Sequence, residues 1–310
     1  MTDAPDLAPT DPEVPREGRV VLHAGFELDA ETVSAVSRQA WARVILIAGP
    51  EGSGKTTLLT SLYESFQRGT FANYSFAGSL TLPAFERLAH HSRIVSQRGV
   101  PETERTPPGE RRRYLHLRLK RAMAHEPRDV LFTDLAGEQF RLVSDSEDEC
   151  KRLTVAKRAD HLAVLIDGQK LIDLDARGGA QNDARRLIRS LVDSAMIGGQ
   201  TFVQVLFSKW DLLAGLGDGA EALKYALNIE KVLGEAFGDR VGSMRFMRIA
   251  ARPQSTAVPF AYGLPDLLRL WCEDSLFMSN EPSRSVRMPA AVTEFERFEA
   301  RQLRERSVDG

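Results

Sequence analysis

The segment that most constrains this chain is Gly49–Thr56, GPEGSGKT, set directly after the run Val44–Ala48, VILIA. It fits the pattern G-x-x-x-x-G-K-[ST] in full. VILIA is an unbroken β-branched and aliphatic run, as expected of a strand buried on both faces. Thr56–Phe66, on the other side, carries the apolar period of a helix. Strand, glycine-rich turn and helix in that order make an anion cradle. Gly49, Gly52 and Gly54 are expected to turn with positive φ and let the backbone approach an anion closely. Successive N–H groups then aim at phosphate oxygens, and the helix adds its positive end. Lys55 brings a mobile positive charge to the β- and γ-phosphates. Thr56 offers a hydroxyl to Mg²⁺ and Thr57 reaches the α-phosphate, while Glu51 and Ser53 complete the loop.

Further apolar runs follow at Val130–Thr133, Leu162–Ile166, Phe202–Phe207 and Met244–Ile249, with helix-period segments at Asn182–Ala195 and Glu221–Phe237. Strands alternating with helices predict a parallel sheet covered on both faces. Tyr114–Leu119 breaks the alternation: its polarity alternates, and a short loop joins it to Val130. That connection favours an antiparallel hairpin. The sheet is therefore expected to be mixed, with one antiparallel edge strand.

Three of these strand ends carry chemistry. VLFTDLAGEQF places Asp134 at a strand end, where an aspartate can hold Mg²⁺ opposite the phosphate loop, and its D-x-x-G, ending at Gly137, resembles the arrangement by which small GTPases sense the γ-phosphate through a backbone N–H. After Phe202–Phe207 comes Ser208-Lys209-Trp210-Asp211. A carboxylate at Asp211 can accept two hydrogen bonds from guanine N1–H and the exocyclic amine. Adenine offers no such pair, and an unpaired carboxylate costs binding energy. The Lys209 stem can lie along the base while its ammonium stays solvated. Ala250-Ala251-Arg252, after the last core strand, resembles the S-A-K loop whose backbone contacts the guanine carbonyl.

In this order the four motifs resemble those of TRAFAC (Ras-like) GTPases, and RADHLAVLIDG, with Asp167 at its end, looks like their fourth core strand. The resemblance covers about Arg43 to Cys272. It implies a three-layer α/β/α Ras-like P-loop NTPase fold with nucleotide at the C-terminal ends of the parallel strands. It also implies GTP/GDP and Mg²⁺ as ligands and a regulatory GTP-dependent switch as the function. Lys55, Gly137, Glu138 and Thr106 would then act on the γ-phosphate, and Thr56, Asp134 and Thr106 would hold the metal. Thr103 is the alternative switch threonine. More narrowly, RTPPGERRRYLHL followed by VLFTDLAGEQF resembles the double-GTPase families of predicted bacterial conflict systems. That likeness implies a protein effector or partner GTPase and a role in defence.

Ser208 departs from the usual Asn or Thr of the base-reading motif while keeping a hydroxyl, and two further departures bear on catalysis. Glu138 stands where many relatives carry a water-orienting glutamine, with Gln139 next to it, and Glu51 stands where glycine is frequent. Slow intrinsic hydrolysis is the expectation. An activator could supply an arginine, or Arg105, Arg111, Arg112, Arg113 or Arg141 could do so in cis or across a dimer. The same cluster also reads as a solvated basic face or docking patch. Two other readings stay open: a non-hydrolysing GTP-binding scaffold, and a P-loop ATPase or small-molecule kinase.

Composition removes other classes. Formal net charge is −2, so no general basic field attracts nucleic acid. Cys150 and Cys272 lack metal-ligand spacing, and no apolar run reaches membrane-spanning length. These features point to a cytoplasmic protein. His90-His91, the acidic Ser144–Glu149 and the three tryptophans read as surface or packing residues. Residues 1–17 are expected to be a flexible leader and 18–278 the nucleotide-binding domain, with an insert at about 70–110. Residues 279–310 are expected to be a linker and a C-terminal helix that docks on its own domain or on a partner.

Overall fold

A computed structural model describes residues 27–39, 42–96, 114–122, 126–216 and 220–273; for 38, 39, 91–96 and 134 it describes the backbone alone. The chain divides into Met1–Cys272 and Glu273–Gly310, and of the second unit only Glu273 is described. The expected leader, the C-terminal helix, Thr103, Thr106 and Arg105 to Arg113 therefore lie outside the described residues.

Helix α1 (Ala30–Gln39) precedes β1 (Ala42–Ala48), which runs into the glycine turn and α2 (Lys55–Gln67). Then come β2 (Tyr74–Gly78), α3 (Leu82–Ser96) and the hairpin β3 (Tyr114–Arg121) and β4 (Arg128–Asp134). Three short helices, α4 (Gly137–Asp145), α5 (Glu147–Arg152) and α6 (Thr154–Arg158), lead to β5 (His161–Asp167). The rest alternates: α7 (Gly168–Ile172), α8 (Arg177–Asp193), β6 (Phe202–Ser208), α9 (Trp210–Ala214), α10 (Glu221–Phe237), β7 (Ser243–Arg248) and α11 (Leu264–Cys272).

The strands form one seven-stranded sheet in the order β2-β3-β4-β1-β5-β6-β7. Strands β4, β1, β5, β6 and β7 pair in parallel, and β3 is antiparallel to both neighbours. The mixed sheet expected from sequence is thus present. One strand went unforeseen: β2, from within the insert, pairs outside β3 and takes the edge position, with an irregularity between Phe76 and Gly78. Residues on β1 alternate between two cores. Val44, Leu46 and Ala48 face a cluster built with α4, α8 and α10, while Ile45 and Ile47 face one built with α2, α3 and α11. The helices thus form two layers about the sheet, as the period of α10 illustrates: Ala222, Ala226, Ile229, Leu233 and Phe237 are its buried residues.

The insert is tied to the sheet by polar chemistry. His116 on β3 accepts the Leu80 N–H on Nδ1 at 3.0 Å and shares Nε2 with Asp129 at 2.9 Å. Arg118 clasps the same carboxylate through Nε and Nη2 at 2.7 and 2.9 Å. Burial raises the Asp129 pKa, but the bonds from His116 and Arg118 outweigh it and hold the group at about 2.

Candidate functional site

Strand order reverses around β1, whose neighbours are β4 and β5. In open α/β sheets this is where a ligand crevice forms, beyond the carboxyl ends of the strands. The phosphate-loop sequence leaves β1 at that point. Gly52 and Gly54 have φ of 77° and 94°, left-handed values that glycine adopts freely. Gly49 differs from expectation: it does not lie in the left-handed region. Its need for glycine is steric, because a Cβ there would lie 2.7 Å from Ser53 Oγ and 3.1 Å from Leu165 O. Ser53 is fully buried beneath the loop.

Lys55 is buried, and its ammonium donates to Gly49 O at 2.8 Å and Pro50 O at 3.3 Å, so it folds back over the loop. Helix α2 begins at this lysine with Gly54 as N-cap and no side-chain cap. Its first N–H groups therefore face the crevice without a capping side chain, the arrangement that suits an anion. Thr56 and Thr57 sit half-buried in its first turn.

The second uncapped helix start lies close by. Helix α4 opens at Gly137, again without a side-chain cap. A Cβ on Gly137 would meet Glu51 N at 2.9 Å and Glu51 Cβ at 3.2 Å. The D-x-x-G glycine and the third phosphate-loop residue are thus in backbone contact. Asp134 ends β4 in register with Ile47, and Leu135 donates to Ile47 O at 2.8 Å. This fixes the Asp134 backbone beside β1; its side chain lies outside the described residues. Glu138 is exposed and Gln139 half-buried in the first turn of α4.

Ser208, Lys209 and Asp211 stand at the end of β6. Ser208 is buried, donates to Ile166 O at 3.2 Å and lies near Gly54, 3.9 Å from where a Cβ would be. It thereby braces β5 against the loop that follows. Lys209 takes a left-handed conformation, φ 50° and ψ 38°, and its ammonium bonds Asp167 Oδ2 at 2.8 Å. Asp211 is buried and accepts the Gln254 N–H on Oδ2 at 2.9 Å. That bond ties the carboxylate to the loop after β7. In the same loop Ala250 spends its N–H on Tyr262 O at 3.1 Å, and Ala251 O accepts from Ala261 at 3.2 Å. Arg252 pairs with Glu64 of α2 at 2.6 Å, beside a cleft of about 380 Å³ lined also by Gln67, Arg68 and Phe260. That cleft shares no residue with the phosphate loop.

Three residues packed or bonded against these loops carry no site role in the sequence reading: Gly168, Asp167 and Gln254. Gly168 is wedged against the base-loop backbone: a Cβ there would meet Ser208 O at 2.4 Å, Leu213 Cδ1 at 2.7 Å and Lys209 O at 3.1 Å. Asp167 was noticed only as a strand end, although an acid followed by glycine at the close of an apolar run was the available signal. Gln254 carried no signal, because its part is played by a backbone N–H.

The arrangement can bind a triphosphate at one end and a purine at the other. No group of three or more His, Cys, Asp or Glu suited to a metal occurs among the described residues. Mg²⁺ takes few protein ligands when phosphates supply the rest. The half-buried Thr56 hydroxyl beside the uncapped α2 start fits that mode. Among the described residues no helix is long and apolar enough to cross a membrane.

Solved structures resemble the chain at low identity. The S. cerevisiae Ski7 GTPase-like domain bound to GDP and inorganic phosphate is 12% identical, with 82% of this chain and 53% of that one covered and a TM-score of 0.45. The same domain bound to GTP gives 14%, 83%, 54% and 0.45. The chain thus spans about half the length of the Ski7 chains it matches. The signal recognition particle receptor SRb-GTP/SRX complex from Chaetomium thermophilum is 16% identical, with 69% and 93% covered and a TM-score of 0.38. No curated protein matches the sequence. The Double-GTPase 2 family model matches residues 43–272, most of the chain; the chain belongs to the Double-GTPase 2 family, a membership that supports guanine-nucleotide binding.

Proposed function

We propose that this protein is a Mg²⁺-dependent regulatory switch that binds GTP and hydrolyses it slowly. The observation that carries the reading is the Asp211 carboxylate, buried at the end of β6 and roped to the β7 loop through Gln254. A buried acid held there can read guanine N1–H and its exocyclic amine. In this reading Gly52, Gly54 and the first turn of α2 cradle the phosphates, and Lys55 leaves the Gly49 and Pro50 carbonyls for the β- and γ-phosphates. Thr56, Asp134 and a threonine of the 97–113 segment, Thr106 or Thr103, would hold Mg²⁺. Bound there, the ion would neutralise charge developing between the β- and γ-phosphates. Gly137 would offer its N–H to the γ-phosphate, so that α4 responds to GTP but not to GDP.

Slow turnover follows from Glu51 and Glu138, two carboxylates near the expected γ-phosphate. A cytoplasmic location, a partner GTPase or effector and a role in a bacterial conflict system belong to the same reading. The partner and the conflict-system role are supported by the likeness of the segments around RTPPGERRRYLHL and VLFTDLAGEQF, and the location by two cysteines, Cys150 and Cys272, without disulfide-framework or metal-ligand spacing. Contact between Glu51 and Gly137 favours a second reading, a GTP-binding scaffold that does not hydrolyse. Single-turnover hydrolysis of GTP with excess protein and Mg²⁺ separates the two, with Lys55→Ala as the blank. Phosphate release above the blank supports the switch; none over many hours supports the scaffold.

A further inference from the structure

The ends of β5 and β6 are joined by a charge pair that recognition of guanine by Asp211 does not itself require. Asp167 Oδ1 accepts the Gln169 N–H at 3.0 Å, which caps α7, and this bond fixes the plane of the carboxylate. Oδ2 is thereby aimed across the paired strand end, where Asp167 lies in register with Ser208, and it receives Lys209 Nζ at 2.8 Å. The two partners are unequal. The Asp167 side chain is 8% exposed and that of Lys209 38%, so the acid is the fixed post and the lysine the tethered arm. Backbone geometry holds the other end of the arm. Among the described residues Lys209 is one of few non-glycine residues with positive φ, and Gly168 packs beneath its carbonyl. Strain of this kind persists only where surrounding structure enforces it.

We propose that Asp167 is a positioning residue for guanine-nucleotide binding, holding the Lys209 side chain by its ammonium so that the aliphatic stem is already laid out along the base site. This rests on the guanine-binding reading above. Lysine is among the side chains that lose most rotamer freedom on ordering. Tethering Lys209 before the ligand arrives removes that loss from the binding step, which is preorganisation. The bare charge is also matched locally, so the stem can flank a neutral base without leaving an unpaired ammonium beside it.

The test is a double-mutant cycle on GDP binding with Mg²⁺, using Asp167→Asn, Lys209→Met and the pair. Asparagine caps a helix as well as aspartate does, and methionine keeps most of the stem, so melting temperatures should stay close to wild type. Asp167→Ser, also a competent cap, replaces Asp167→Asn should the latter unfold. The expected result is GDP binding about tenfold weaker in the Asp167 variant. In the Lys209→Met background the same substitution should have little further effect. Wild-type affinity in Asp167→Asn, or two losses that simply multiply, would overturn the proposal and leave Asp167 a helix cap. Equal binding of GDP and ADP by the wild-type protein would instead overturn the guanine reading beneath it.

Discussion

Gly137 lies against Glu51 so closely that a methyl group on its Cα would come within 2.9 Å of the Glu51 backbone nitrogen. This joins the start of α4 to the phosphate loop at the place where a γ-phosphate is expected. Real Cβ atoms do not come this close to backbone, so an alanine must push the two segments apart. Gly137→Ala should weaken GTP binding about tenfold while GDP affinity stays within about threefold of wild type. Titration of both nucleotides checks this. Equal losses for the two would show that the contact serves the loop's own packing rather than γ-phosphate sensing.

Gly168 is a packing pivot. With Ser208 O 2.4 Å and Leu213 Cδ1 2.7 Å from an added Cβ, substitution must displace the loop that carries Lys209 and Asp211. Gly168→Ala is expected to cost about 2 kcal/mol of stability, within the range for overpacked sites. It should also weaken guanine binding more than Gly178→Ala, whose Cβ would meet nothing within 4 Å. Chemical denaturation and GDP titration of the two variants make the comparison.

Acid should destabilise the fold through His161. This residue, at the start of β5, is fully buried. Trp271 Nε1 donates to Gln204 Oε1 at 3.1 Å, which turns the Gln204 amide so that Nε2 donates to His161 Nδ1 at 3.1 Å. Burial, reinforced by the Arg43 charge, holds the imidazole pKa at about 3, below its ordinary value of 6.5. The folded state thus binds the proton more weakly than the unfolded chain does. The resulting stability is complete above about pH 6.5 and is lost as pH falls from there towards about 3. Near pH 5 the loss should be about 2 kcal/mol. His161→Phe removes this titration, so its urea midpoint should fall less than that of wild type between about pH 7 and about pH 5. An unchanged slope would mean that other groups carry the acid sensitivity. Asp129, held at about 2, adds a further loss only below the ordinary carboxylate value of 3.8.

What could be read in the sequence follows a physical division. Strands β1, β4, β5 and β6 are dominated by apolar runs because helices cover both faces, with Gln204 the polar residue inside β6, and their ends are legible to within a few residues. Edge strand β2, YSFAG, has neither an apolar run nor strict alternation, since Ser75, Phe76 and Ala77 are all exposed. Helix α8 begins at Arg177 rather than Asn182, because Gly178-Gly179 hid its first turn. Single-residue demands set by distant neighbours were the least legible. Gly49 was read as a φ requirement but is held by Ser53 and Leu165, and Gly168 by a loop some forty positions on. Lys55, Ser208 and Asp211 are legible as a set because each motif follows the end of a parallel strand, and the fold brings those ends to one side of the sheet. Whether they act as read is a matter for nucleotide binding.

The most direct measurement is titration of the purified protein with GTP, GDP and ATP in Mg²⁺, in parallel with Asp211→Asn. Guanine nucleotides should bind at least about a hundredfold more tightly than ATP, because adenine offers no matching pair of donors to the buried Asp211 carboxylate, whose remaining acceptor positions then lose their partners. In Asp211→Asn that preference should collapse while the phosphate loop retains weak binding of all three. ATP binding as tightly as GTP, with no change in the variant, would contradict the guanine assignment and leave a nucleotide site that does not read its base through Asp211.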